Sequence, residues 1–333
     1  MPGVLKLHVL GALGALLMAV GEVGAAPHPT VLSTDIGGDI DDTWALAHLL
    51  RSPELDLDLV LTETGESRYR AMVAAKFLEV AQRTDVTVAL GVDFGVMSDA
   101  DRHQGPWVQG YDLDAYPGQV AEDGVQAFID YVRAAEGTVT VIAIGPAPSV
   151  AAAVQRAPDI ARKCRLLGMH GSFDIGYGGK PHPDAEYNVK ADVAAFRALM
   201  AAPWQSIALT PLDTCGLVAL DGENYHRVWR ATDDPLARAV IENYCLWAPR
   251  QTWLNCDFFA VRSTTLFDNV AIYMAYADAF LEYEEIAFEV TDEGFTVRDP
   301  DGPYRAQVAV RWRDLPGFYR HLTQRLVEDS TAR

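Results

Sequence analysis

The sequence predicts an α/β protein: a mainly parallel sheet with helices on both faces, plus small helical and antiparallel β additions. Three observations carry this. Short runs of continuous apolar residues alternate with stretches whose apolar residues recur at helical spacing. Polar or glycine-rich loops follow the runs, as expected at the carboxyl ends of parallel strands. Past residue 220 the alternation gives way to a largely helical stretch and then to short strands with turn signals between them.

Taken in order, "TVLST" (30–34) reads as a buried strand, followed by a loop and a helix from Asp42 to about Leu50. "LDLVLT" (57–62) is a second strand. A helix over 68–82 follows it, with Val73, Phe77, Val80 and Ala81 on one face. "VTVAL" (86–90) is the third strand. A helix over 125–135 carries Val125, Phe128, Ile129 and Val132, and "TVTVIAI" (138–144) is the fourth strand. "RLLGM" (165–169) and "SIALT" (206–210) add two more, with helices over 149–156 and 192–201. Residues 221–280 read as largely helical, and 284–312 as short antiparallel strands forming a small appendage. No internal repeat, low-complexity stretch or linker divides the chain, so one α/β domain over 27–333 is expected.

Ahead of that domain, residues 1–26 read as a signal peptide. Lys6 supplies positive charge, "VLGALGALLMAV" (9–20) an apolar core, and "GAAP" (24–27) small residues for cleavage near Ala26. Glu22 ends the apolar run short of the roughly 20 residues a membrane span needs. Export to the periplasm or medium is therefore expected, with no stable membrane contact after cleavage.

The chain has 333 residues, half of them hydrophobic, and a formal net charge of −19. Such acidity argues against a nucleic-acid or anionic-membrane partner, since both require clustered Lys and Arg. The four cysteines, Cys164, Cys215, Cys245 and Cys256, form no CxxC pair, which argues against a zinc site. Cys245 and Cys256 are the nearest pair, and buried free thiols are the alternative to a disulfide.

Five loops fall at one sheet edge: the aspartate cluster, "TETGES" (62–67), "IGPAPS" (144–149), "GMHGSFD" (168–174) and "TPLDT" (210–214). The first, in "STDIGGDIDDTWAL" (33–46), crowds four aspartates where a strand becomes a helix. Carboxylates gain from the free N–H groups at a helix start, but capping needs one aspartate, not four. A hard divalent cation, held by carboxylate and carbonyl oxygens, explains the rest. A phosphatase with an aspartate nucleophile is the rival chemistry. It calls for Asp-x-Asp, and Ser33 stands where its first aspartate would fall.

In "TDIGGDIDDTWAL" the chain resembles the amino-terminal signature of the inosine–uridine nucleoside hydrolase family, in its variant with a longer aspartate loop. The resemblance continues in order. "LTETGESRYRAMVAAKFLEVAQRTDVTVALG" (61–91) is similar to the family's second strand and following helix. "VIAIGPAPSVAAAV" (141–154) is similar to its Gly-Pro-Leu-Thr-Asn segment, "GMHGSF" (168–173) to its Met-Gly-Gly loop, and "PDAEYNVKADVAAF" (183–196) to its Ala-Glu-Phe-Asn strand. "TPLDT" (210–214) and "LFDNVAIYMA" (266–275) complete the set. The resemblance implies a Ca²⁺-dependent hydrolase that cleaves the N-glycosidic bond of ribonucleosides or related ribosyl compounds, and a homo-oligomer, though no segment identifies an interface. It implies Asp35, Asp42 and Asp268 as carboxylate ligands of the ion, with the backbone carbonyl of Pro148 as another. Asp35 is then the general base, Asp41 the contact of the ribose 2′-hydroxyl, and Glu186 and Asn188 the contacts of the 3′- and 5′-hydroxyls.

The chain also departs from the family pattern. Ser33 replaces a frequent aspartate, Asp39 is additional, and Glu66 replaces an asparagine and is carried either as a ribose-contacting residue or as one that supports those contacts from behind. Phe267 replaces a histidine that protonates the leaving base, and phenylalanine has no proton to give. His103, His170, His182 and Tyr187 are the candidate donors, and Trp107, Trp247 and Trp253 the candidate stacking partners of a base. Lys180 falls near the ribose 5′ end, where it would suit an anionic 5′ substituent; pairing with Asp184 is the alternative. The missing acid leaves open a non-catalytic riboside-binding protein of the same fold.

Overall fold

The computed structural model of the chain describes residues 26–251 and 258–327. The predicted signal segment (1–25 of it), Trp253 and Cys256 lie outside these residues. Strands β1 (His28–Thr34), β2 (Leu55–Thr62), β3 (Thr87–Leu90), β4 (Val120–Ala121), β5 (Val139–Ala143), β6 (Cys164–Met169) and β7 (Ser206–Thr210) precede β8 (Leu281–Val290), β9 (Thr296–Arg298) and β10 (Tyr304–Trp312). They form one ten-stranded sheet in the order β4-β3-β2-β1-β5-β6-β7-β10-β8-β9. All pairings from β4 through β7 to β10 are parallel, and only the β10–β8 and β8–β9 pairings are antiparallel. The late strands therefore extend the main sheet and are not a separate appendage, because β10 pairs directly with β7.

The helices are α1 (Asp41–Leu50), α2 (Ser67–Val80), α3 (Gly124–Ala134), α4 (Pro148–Arg156), α5 (Tyr187–Ala191), α6 (Val193–Ala201), α7 (Gly222–Arg230), α8 (Pro235–Trp247), α9 (Phe258–Val261), α10 (Asp268–Met274) and α11 (Leu315–Val327). Strand alternation sorts the apolar side chains into two cores. Leu32, Val60 and Ile142 face a core shared with α1, α2, α8, α10 and α11. Val31, Leu59 and Val141 face the opposite core, under α3, α4 and α6. Burial on both faces is why these strands read as unbroken apolar runs.

The segment similar to the family's Ala-Glu-Phe-Asn strand is helical here. Glu186 has extended backbone and accepts the N–H groups of Asn188 and Val189, so it caps α5 and turns the chain into a helix at Tyr187. Among the described residues no helix is long and apolar enough to cross a membrane.

Candidate active site

The parallel strands end at one edge, and the loops beyond β1, β2, β5 and β6, with the start of α10, surround a cavity of about 470 Å³. The predicted "TPLDT" loop after β7 does not line it, and its Asp213 instead accepts the N–H groups of Phe173, Asp174 and Ile175. Its floor begins where β1 stops. Gly37 has φ +102°, which allows the reversal after Asp35, and a Cβ there would sit 2.9 Å from the Tyr69 ring. The Tyr69 hydroxyl donates to the Gly37 carbonyl at 3.0 Å, and Arg70 Nη1 to that of Ile36 at 3.0 Å. Held from α2 in this way, the loop delivers Asp41 and Asp42 into the first turn of α1.

Asp268 opens α10, which packs against α1, so two helix N-termini converge. Ligand oxygens of Asp41, Asp42 and Asp268 all lie within 4.8 Å of one another, and each residue is less than 5 % exposed. Asp35 lines the same cavity. A Cβ on Gly145 would stand 2.8 Å from Asp35 Oδ1, so glycine there lets the β5 loop come up against that carboxylate. Burial first, then repulsion from a neighbouring carboxylate (Asp39 on Asp41, Asp35 on Asp42, Asp41 on Asp268), pushes all three well above the usual carboxylate range. Burial also raises Asp35, against the opposing pull of Arg70.

The magnitudes show what this arrangement needs. Two carboxylates 4.8 Å apart repel by about 3–4 kcal/mol at an effective dielectric of ~20. A helix N-terminus returns only about 0.3–1 kcal/mol per charge, so the two dipoles do not offset the cluster. Among the described residues lining the cavity, Arg70 is the only guanidinium or ammonium side chain. All the donors are hard oxygens, which fits Ca²⁺ or Mg²⁺ and does not fit a thiolate- or imidazole-seeking metal.

The cavity brings together Asp35, Asp41, Asp42, Asp268, Glu186 and Asn188. Glu186 accepts N–H groups from Gly171, Asn188 and Val189, and burial pushes its carboxyl up to about 7. Asn188 donates its amide to the carbonyls of Met169 and Ile144, which aligns α5 on β6. Pro148 is buried as the first residue of α4, behind the left-handed Ala147, and is not among the cavity-lining side chains.

Two predicted binding residues lie elsewhere. Glu66 turns to Arg102, pairing with its guanidinium and accepting the Met97 N–H, so it lines a neighbouring cavity. Lys180 pairs with Asp184 at 3.1 Å, with about half its side chain exposed, and lines a second neighbouring cavity. Local ion pairing satisfies both charges and takes them out of the main cavity.

The candidate proton donors also separate. His170 is fully buried, stacked on Phe196 and bonded to the Gly145 carbonyl, and burial pushes its imidazole down to about 4. His182 lies outside the cavity, whereas His103 and Tyr187 line it. Trp107 sits under Lys76 and Trp247 stacks on Tyr244 in the core, so neither reaches the cavity.

Two structural partners of the site escape a reading of the sequence alone. Glu63, wholly buried, accepts the Ser33 hydroxyl at 2.6 Å and the Ser149 N–H at 2.9 Å, tying β1 to the start of α4. Arg70 bridges the carbonyls of Thr64 and Ile36 and so joins the two loops around Asp35. Its signal is present in hindsight: a charged residue at position 70 on the buried stripe of Val73 and Phe77.

Comparison with known proteins agrees with this geometry. Residues 30–320 match the family model described as inosine-uridine preferring nucleoside hydrolase. A probable uridine nucleosidase 2 of Arabidopsis thaliana is 25% identical over 297 residues, covering 84% of this chain and 85% of the relative. The pyrimidine-specific ribonucleoside hydrolase RihA of an Enterobacter species is 30% identical over 224 residues, covering 64% of this chain and 69% of the relative. In fold, the chain is similar to the plant nucleoside hydrolase PpNRh1, with a TM-score of 0.75, 22% identity and coverage of 91% of this chain and 100% of that one. It is also similar to an inosine-uridine preferring nucleoside hydrolase from Bacillus anthracis, with a TM-score of 0.71, 18% identity and coverage of 90% and 99%.

Proposed function

The chain belongs to the inosine–uridine preferring nucleoside hydrolase family of N-ribosyl hydrolases, and from that premise we propose that it is a Ca²⁺-dependent enzyme cleaving ribonucleosides or related ribosides to ribose and free base. The observation that carries this is the convergence of Asp41, Asp42 and Asp268 on two helix N-termini, with Asp35 in the same cavity. Asp35, Asp42, Asp268 and the Pro148 carbonyl are the proposed ligands of the ion. When bound, the ion orients the ribose diol and the attacking water and lowers that water's pKa.

The residues of the chain do the rest. Asp35 accepts a proton from the water as it attacks C1′. Asp41 holds the 2′-hydroxyl, and Glu186 and Asn188 hold the 3′- and 5′-hydroxyls. As the bond breaks, positive charge develops on the ribose ring, and carboxylates already in place stabilise that charge more than they stabilise the ground state. Arg70 keeps the two loops around Asp35 in register.

Reducing-sugar release from a nucleoside panel, with and without chelator, tests the reading. Ribose release that chelation abolishes and Ca²⁺ restores is expected, with titration calorimetry giving one Ca²⁺ per chain. Phosphate release from phosphoesters without ribose release would overturn it. Export is part of the same proposal: mass spectrometry of the mature protein is expected to place its first residue near Pro27.

A further inference from the structure

Exposure divides the cavity lining into a floor and a rim. Asp41, Asp42, Asp268 and Glu186 are buried, whereas Tyr187 is 57 % exposed and His103, Tyr177 and Phe267 are half-buried. If ribose occupies the carboxylate floor, the leaving group lies against the rim, and the rim is short of acids. Phe267, beside Asp268, carries no transferable proton. His103 Nδ1 lies 2.8 Å from the Gly38 carbonyl, and since a carbonyl only accepts, Nδ1 bears the hydrogen. That hydrogen is committed to the Gly38 carbonyl and points away from a leaving group held elsewhere on the rim. The Tyr177 hydroxyl accepts the Tyr187 N–H at 2.9 Å, and burial pushes the phenols of both Tyr177 and Tyr187 up, which makes each a weaker acid.

Charge and ring chemistry point the same way. Seven carboxyl side chains line the cavity against one guanidinium, so a divalent ion leaves a negative excess. Phe267 and Tyr177 meet edge to face, with centroids 6.0 Å apart, and Tyr187 lines the cavity beside them. Aromatic rings in a negative field attract cations.

We propose that the preferred substrates are β-ribosides whose leaving group is a cation, a pyridinium or azolium ring joined to C1′ through its charged nitrogen. The inference rests on the ribosyl-hydrolase reading and specifies its substrate class. The C1′–N bond breaks with both electrons going to the ring nitrogen, which neutralises the ring, so no proton is needed. The water oxygen bonds to C1′ and one water proton passes to Asp35. The products are ribose, the neutral heterocycle and one proton. A neutral nucleoside would instead expel its base as an anion, which needs an acid.

The test compares kcat/KM of the Ca²⁺-loaded protein for 3-carbamoylpyridinium β-D-riboside, 4-nitrophenyl β-D-riboside, inosine and uridine. The pyridinium riboside is expected to exceed inosine and uridine by about 10²-fold or more, the usual contribution of a general acid. It is also expected to exceed the 4-nitrophenyl riboside, which needs no acid but leaves as an anion. Phe267→His is expected to raise turnover of inosine or uridine by about tenfold or more without raising that of the pyridinium riboside. Inosine or uridine turned over as well as the pyridinium overturns the proposal, and a 4-nitrophenyl riboside that matches the pyridinium overturns the preference for a cation. His103→Gln losing about 10²-fold on inosine while sparing the pyridinium would make His103 the acid, with the same consequence. Release from none of the four would refute the ribosyl-hydrolase reading itself.

Discussion

Asp268 illustrates how a single carboxylate trades stability for chemistry. In the ion-free chain it sits within 4.8 Å of Asp41 and Asp42, repelled by both and relieved by a side-chain hydrogen bond shared with Asp41 and by the weak field of the α10 N-terminus. Asp268→Asn removes one charge at nearly constant shape. The ion-free variant is expected to melt higher than the ion-free wild type, by a few degrees at roughly 2–4 °C per kcal/mol. Wild type should gain about 2.7 kcal/mol at an ion concentration of ~100 Kd, and the variant should lose most of that gain along with activity. Differential scanning calorimetry with chelator and with Ca²⁺ measures both. A variant that melts lower without ion and keeps its full Ca²⁺ shift would remove Asp268 from the site.

At the level of elements, the site is held by buried side chains that reach from one strand end to the next helix. Glu63, after β2, joins Ser33 of β1 to Ser149 in the first turn of α4, and burial pushes its carboxyl up to about 7 from the usual 4.5. The folded carboxyl keeps its proton to higher pH than the unfolded one. Its contribution is therefore complete below pH 4.5 and is lost as pH rises through about 7. The loss is on the order of 3 kcal/mol at ~1.4 kcal/mol per pH unit. Glu63→Gln cannot ionise, so in chelator it should gain stability relative to wild type between about pH 5 and 7.5, read by urea unfolding. Parallel pH profiles for the two proteins would show that Glu63 does not titrate in this window.

Across the whole molecule, a net charge of −19 sets a field that favours the ion and opposes compaction. Raising monovalent salt from about 10 to 150 mM shortens the screening length from ~30 to ~8 Å. The ion-free protein should then melt higher while Ca²⁺ affinity falls, and calorimetry at the two salt concentrations should show both; an unchanged affinity would mean that only the local carboxylates matter. The order of strands and helices in the parallel half was legible in the sequence, because burial on both sheet faces leaves continuous apolar runs whose ends are marked by Gly, Pro and Asp. The location of the candidate cavity was legible too, since Asp35, Asp41 and Asp42 follow the first strand, Asp268 sits in a recognisable segment, and all four line it. Tertiary contacts alone decided which polar side chains enter the cavity. Glu66 and Lys180 stand at suitable positions in the chain, yet Arg102 and Asp184 neutralise them outside it. Glu63 and Arg70 read as ordinary loop and helix residues, yet they brace the floor. The merging of the late strands into the main sheet was likewise a matter of the β10–β7 pairing. Periodicity and local turn chemistry are written along the chain and determine its elements, whereas the partner of a charge depends on which residues distant in sequence the fold brings within a few ångströms of it.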